Sequence, residues 1–280
     1  DAPIPWVQAV VPNSLLGRPG EPLVLLKILD PSPEPVIGDL YFELHEEKQE
    51  VYVVTHIDKA AWPDGTGYIR MGFAGDKLAQ YEGDSAGFRS AYLRSVQAYE
   101  RVRRQIDTVS PVDQLDESLH EQESLLRAEM DAYSQLRPLS LGDVVKVPLL
   151  TPHSLQHGVR TVEFQTPVYE RKILSFAQEV LTQSHWDTVD AVAQMHLHAV
   201  EPGAFEILRD SRGVFIERIV DFSDFEVKRV RLSPLAELEM GPMERYGIIM
   251  VVEGDVLIAG QCFSSEKALI LPRGWSGKLM

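Results

Sequence analysis

The chain has little cysteine, little positive charge and no long apolar run. Of its 280 residues, one is cysteine, Cys262. That excludes an intramolecular disulfide and a thiolate zinc knuckle. So few thiols fit a reducing compartment, and a cytoplasmic location is expected. No stretch reaches the roughly 18 apolar residues that a helical membrane span needs. The opening Asp1-Ala2-Pro3-Ile4-Pro5 has neither a basic nor an apolar region of the signal-peptide kind, so no signal peptide is expected. Lys and Arg number 27 against 42 Asp and Glu, giving a net charge of −15. A field of that sign repels nucleic acid and anionic membrane surfaces, and neither is expected as a partner. A Gly-rich phosphate-binding loop and low-complexity tracts are also missing. What is present is ample apolar content, 44% of the residues, enough for one large domain or two.

Two kinds of segment alternate along the chain. Leu23 to Leu29, Leu40 to His45, Glu50 to Val54 and Tyr68 to Phe73 read as strands bounded by Pro- and Gly-rich turns. Residues 80–137 differ. Phe88, Tyr92, Val96, Tyr99, Val102 and Ile106 recur at three- and four-residue spacing and predict an amphipathic helix. A second helix is expected from the Ser110-Pro111 start signal, through Leu115, Leu119, Leu126, Met130 and Tyr133, to a stop before Pro138. Strands return at Asp143 to Val147, Thr161 to Gln165 and Tyr169 to Phe176, with a short helix near Asp187 to Gln194. From about Met195 the chain is again rich in short strands: Gly203 to Leu208, Val214 to Ile219, Phe225 to Val230, Gly247 to Val252 and Ala268 to Pro272. Short strands at regular spacing point to sandwiches or barrels.

The chemistry concentrates in two of these segments. Glu43 and His45 lie two apart on a strand and so share a face; Glu50 follows after a tight turn. His153 closes the segment that runs from Gly142 through Pro148 and Pro152. Two carboxylates and two imidazoles suit a divalent metal, zinc first, with iron, manganese, nickel or cobalt also compatible. The competing expectation is a solvated acidic hairpin, Glu43 to Glu50, with His153 in a loop. His196 and His198 form a second His-x-His, but no histidine follows them. His56, His120 and His185 are expected at the surface, and His157 is the one expected nearest a pocket. The Gly142–Pro148–His153 pattern recurs in degenerate form at Pro272-Arg273-Gly274-Trp275-Ser276-Gly277, with Gly277 where the histidine would stand.

These motifs resemble the cupin superfamily. The spacing Glu43-x-His45-(x4)-Glu50 is similar to its first motif, and Gly142 to His153 to its second, with Leu150 where the motif has glycine. Within the superfamily the chain resembles the type I mannose-6-phosphate isomerases. The resemblance lies in Leu26-Lys27-Ile28-Leu29-Asp30, in Lys48-Gln49-Glu50, in Thr151-Pro152-His153 with Gly158, and in Glu163-Phe164-Gln165. It departs at Glu43, where that family has Gln, and in a shorter turn between His45 and Glu50. The resemblance implies a mainly β fold of two cupin-type β-sandwich or jelly-roll barrels with an α-helical insert in the first. Residues 1–78 and 138–194 would form the metal-binding cupin domain, 79–137 the helical insert and 195–280 a degenerate second cupin domain. It implies a metal-dependent aldose–ketose isomerase acting on a small-molecule sugar or sugar phosphate. Glu43, His45, Glu50 and His153 would hold the metal, Glu163 would act as base and Arg171 would stabilise an enediolate. Lys48 and Lys172 would contact substrate. Two alternatives stay open: another metal cupin enzyme, such as an oxygenase or an epimerase-like protein, or a non-catalytic sugar-binding cupin.

Overall fold

The structure, a computed structural model, describes Leu15 and residues 23–108, 116–198 and 203–280. It is mainly β. Two antiparallel sheets carry the candidate ligands. The first has the order β1-β8-β3-β6, from β1 (Leu25–Leu29), β3 (Glu50–Ile57), β6 (Val144–Val147) and β8 (Val159–Gln165). The second has the order β5-β4-β7-β2-β9. Its strands are β2 (Phe42–Leu44), β4 (Gly67–Phe73), β5 (Ser134–Leu139), β7 (His153–Leu155) and β9 (Lys172–Ser175).

The inner faces of these sheets meet. Tyr52, Val54, Val145, Val147 and Val159 of the first pack with Ile69, Met71, Leu139 and Leu155 of the second. The outer faces are covered as well. Val51 and Val53 of β3 point away from that core and pack on Ile219, Val220 and Phe225. A strand covered on both faces needs no polar alternation, which is why Val51 to Val54 reads as an unbroken apolar run. The outer face of the second sheet presents Phe42, Leu44, Phe73 and Leu174 to the helices.

Those helices are α1 (Gly75–Ala79), α2 (Ser85–Asp107), α3 (Glu117–Asp131) and α4 (Thr188–Gln194). Helix α2 starts at Asp84, whose side chain accepts from Gly87 N at 2.8 Å, and buries the predicted stripe of Phe88, Tyr92, Val96 and Tyr99. Each such side chain contributes roughly 1.5–3 kcal/mol when fully buried. Helix α3 departs from the expectation at its C-terminal end. The Ser110-Pro111 start lies outside the described residues; α3 begins after Asp116, which caps it by accepting from Ser118 N at 3.1 Å. At the other end the helix stops at Asp131, and residues expected to continue it form β5 at the sheet edge. An edge strand tolerates Pro138, whose missing N–H need not meet a neighbour. Helices α1 to α3 therefore lie between β4 and β5, which are hydrogen-bonded neighbours. Among the described residues, no helix is long and apolar enough to cross a membrane.

The C-terminal part holds β10 (Glu206–Ser211), β11 (Val214–Asp221) and β12 (Glu226–Leu232) in one sheet. A second sheet has the order β13-β18-β15-β16, from β13 (Leu238–Met240), β15 (Asp255–Ile258), β16 (Gln261–Ser264) and β18 (Gly277–Leu279). Strands β14 (Gly247–Met250) and β17 (Ala268–Leu271) form a pair. Strands β13, β15, β16 and β18 are not anticipated by the sequence reading.

The turns before β7 and β18 have matching backbones. Pro148 O accepts from Thr151 N at 3.3 Å, and Pro272 O accepts from Trp275 N at 3.1 Å. The third residue is left-handed in both: Leu150 at φ 58° and Gly274 at φ 79°. That is the conformation a type II turn asks for at this position.

Candidate metal centre

Strand pairing brings the predicted donors together. Glu43 stands directly opposite His153 across the β2–β7 pair. His45, one residue beyond β2, keeps the inward direction of Glu43, while Leu44 between them faces the helices. Glu50 opens β3 in the facing sheet and shares the inward face of Tyr52. Ligand atoms of Glu43, His45 and His153 lie within 4.8 Å of one another. Glu50 Oε2 is 3.3 Å from His45 Nε2 and 3.4 Å from His153 Nε2. The solvated acidic hairpin is not what forms: His45, Glu50 and His153 are each 1% exposed.

Both imidazoles are held by their other nitrogen. His45 Nδ1 is 3.0 Å from the Glu170 carbonyl and His153 Nδ1 is 3.0 Å from the Thr151 carbonyl. A carbonyl only accepts, so each Nδ1 is the donor, and in the neutral ring Nε2 is left with a lone pair. Both Nε2 atoms and Glu43 Oε2 are buried without a hydrogen bond. Lone pairs and carboxylate oxygens converging in a buried space suit a cation. The donor set fits a divalent metal. When the two rings instead carry a proton on Nε2, their hydrogen bonds and charge, His153 first, outweigh the upward push of burial and hold the Glu50 carboxyl well below the usual carboxylate range.

Further side chains complete the arrangement. Lys48 Nζ is 2.5 Å from Glu50 Oε1, and Tyr52 OH donates to Glu50 Oε2 at 3.1 Å. Burial, then the charges of Glu50 and Glu163, raise the Tyr52 phenol well above its ordinary value, so it stays a donor. Glu163 faces Tyr52 on one side and Lys27 on the other, in register across β3, β8 and β1. Lys27 Nζ is 2.9 Å from Glu163 Oε1. Burial first, then the Glu50 charge, push the Glu163 carboxyl up to about 8.

A cavity of about 250 Å³ opens onto this group and is lined by Glu43, Glu50, His153, Glu163, Lys27, Lys48 and Arg171, among others. Arg171 Nε lies 3.9 Å from Glu43 Oε2, its guanidinium centre 4.6 Å from the Tyr41 ring centroid. Lys172 is not brought to the cavity. It stands opposite Leu44, whose side chain faces the helices, and its Nζ is 3.4 Å from Glu46 Oε2. His157 is not part of the cavity lining; it bonds Asp39 and stacks on Trp62. His196 and His198 lie together after α4, with ring centroids 5.5 Å apart. Lys27 and Tyr52 were missed as site residues. Lys27 stood in a quoted motif, yet only the β1–β8 register reveals its partner. Glu170, whose carboxylate accepts from the backbone N–H groups of residues 46–48, was missed as well.

The fold belongs to the class seen in mannose-6-phosphate isomerases. The crystal structure of that enzyme from Bacillus subtilis aligns with a TM-score of 0.64 at 16% identity, covering 99% of this chain and 77% of that one. A zinc-bound holo mannose 6-phosphate isomerase gives 0.62 at 13% identity, covering 100% and 82%. A point mutant of phosphomannose isomerase from Salmonella typhimurium gives 0.66 at 12% identity, covering 100% and 83%. No protein-family model and no curated protein matches the sequence. At these identities the likeness is one of fold.

Proposed function

We propose that the chain is a metal-dependent aldose–ketose isomerase acting on a sugar or sugar phosphate. The observation that supports this best is the convergence of Glu43, His45, Glu50 and His153 with Glu163, Lys27 and Arg171 around one cavity. The four donors would hold the ion, zinc first among the compatible metals. When bound, the metal supplies Lewis-acid polarisation of a sugar carbonyl and its neighbouring hydroxyl. The protein's own groups carry the proton. In its ionised form, which the neighbouring Lys27 ammonium favours, the buried Glu163 takes a proton from the carbon next to the carbonyl and returns it to the former carbonyl carbon. The hydroxyl proton passes between the two adjacent oxygens, so no atom is gained or lost. Arg171, which lines the cavity, stabilises the negative charge on those oxygens. Lys48 holds Glu50 in place and reaches the same space. We propose the expected division, residues 1–78 and 138–194 for the ligand-bearing unit, 79–137 for an insert and 195–280 for a second unit, with one shift: the helices between β4 and β5 start at Gly75 and end at Asp131, and Ser134–Leu139 belongs to the donor-bearing sheet. A cytoplasmic location is proposed from the scarcity of cysteine alone.

The test combines elemental analysis with an isomerase assay over hexoses, pentoses and their phosphates. Metal-loaded protein that interconverts none of them sinks the proposal. One observation favours a second reading, a sugar-binding protein without turnover. Lys48 and Tyr52 already satisfy the Glu50 carboxylate. Calorimetric binding of a sugar by metal-free protein, with no turnover after metal loading, would decide for it.

A further inference from the structure

We infer that Glu170 is a positioning residue of this centre: it clamps the short turn that carries the chain from His45 in one sheet to Glu50 in the other. The inference rests on the metal reading above. The turn 46–49 must reverse the chain within four residues and hand it from β2 to β3. Doing so points the backbone N–H groups of Glu46, Glu47 and Lys48 the same way, away from any strand partner. Such a concavity binds an anion. The Glu170 carboxylate fills it. Its oxygens accept from Glu46 N at 3.1 and 3.0 Å, from Glu47 N at 3.1 Å and from Lys48 N at 3.2 Å.

The same residue acts a second time through its main chain. Its carbonyl accepts from His45 Nδ1 at 3.0 Å, which fixes the ring so that Nε2 faces Glu50. One residue therefore sets the orientation of His45 and the entry of Lys48 and Glu50 into the site. Arg171, next in sequence, reaches Glu43. Thr166 shares this task, accepting from Gln49 N at 3.2 Å and donating its own N–H to Gln49 O at 3.0 Å. Glu170 thus does for the short turn what additional chain would do for a longer one. The carboxylate stays bound to the turn and is not assigned to metal or substrate.

The test uses the full chain stripped of metal and titrated with cobalt(II), followed by visible absorption and by competition with zinc. Glu170→Ala is expected to weaken metal binding about 10- to 100-fold and to change the cobalt band, as loss of an outer-shell partner does, with the far-ultraviolet circular dichroism unchanged. Glu170→Gln, whose amide oxygen still accepts, is expected to fall between wild type and alanine. Glu47→Ala, an exposed charge on the same turn, is expected to bind as wild type. Wild-type affinity and spectrum in both Glu170 variants overturn the inference while leaving the metal site standing. A wild-type chain that takes up neither cobalt nor zinc overturns the metal reading and the inference with it. Should the alanine variant fail to fold, the glutamine variant decides alone.

Discussion

The turns before β7 and β18 share a backbone and differ in everything chemical. In the first, the residue opening the strand is His153, opposite Glu43. In the second it is Gly277, opposite Met240. A side chain at position 277 would have little room, because its Cβ would lie 2.7 Å from the Trp275 indole. The lesson is that the turn is a structural device and the metal centre is an addition to it. A left-handed third residue and a proline carbonyl bond suffice to launch a strand. Donors are needed only where two sheets bring partners within reach.

The strongest way to break the comparison is to make the first turn like the second. His153→Ala is expected to abolish metal retention, read by elemental analysis of the purified chain. In wild type, zinc at about 100 times its Kd should add about 2.7 kcal/mol to the unfolding free energy, a gain the variant should lack. Next comes the charge that braces the centre. Lys48→Met strands the buried Glu50 and should cost about 3 kcal/mol in urea unfolding without metal, less with zinc present. In the second unit, Lys278→Met breaks an ion pair whose side chains are 47% and 49% exposed, and should leave the unfolding midpoint nearly unchanged. Equal costs for these two lysines would remove the distinction between the units.

Making the second turn like the first should fail. Gly277→His must push the Trp275 ring aside, at a cost of about 1–3 kcal/mol, and should add no zinc equivalent in a metal titration. The smallest effects concern the left-handed position. Gly274→Leu meets nothing within 4 Å, so only backbone strain of about 1 kcal/mol is expected. Leu150→Gly relieves that strain but loses packing and gains unfolded-chain freedom, for a net change under about 1 kcal/mol by thermal unfolding. A loss well above that would show that the Leu150 side chain, not the turn, holds the first site.

The donors were legible in the sequence because their placement follows local rules. Glu43 and His45 obey strand alternation, and the Gly142–Pro148–His153 spacing is a turn followed by a strand. The stripe on α2 was equally plain. Legibility ended wherever register or solvent cover decided. Glu163 reads as inward or outward on its own strand; only the inner face shared with Val159 settles it. Lys172 sits beside Arg171 in sequence, yet its opposite partner Leu44 turns it toward the helix side. Lys27 gains its role from a strand that lies far away in the chain. The Glu170 clamp joins a side chain to backbone N–H groups of a remote turn, and no residue pattern encodes that. Strand β5 was misread as helix because Leu126, Met130 and Tyr133 continue the helical spacing up to its first residues.

The helices enter and leave the second sheet at adjacent points, since Phe73 of β4 stands opposite Ser134 of β5. The two ends of the intervening segment are thus fixed by the sheet, whatever lies between them. The entropy of closing such a loop grows only with the logarithm of its length, about 0.6 kcal/mol per doubling. Strands β2, β3 and β7, which carry the donors, are insulated from that length. Descendants of this chain can therefore lengthen or redecorate the helices on the side away from Phe42 and Leu44, and acquire a new recognition surface there, while the donor geometry stays where it is.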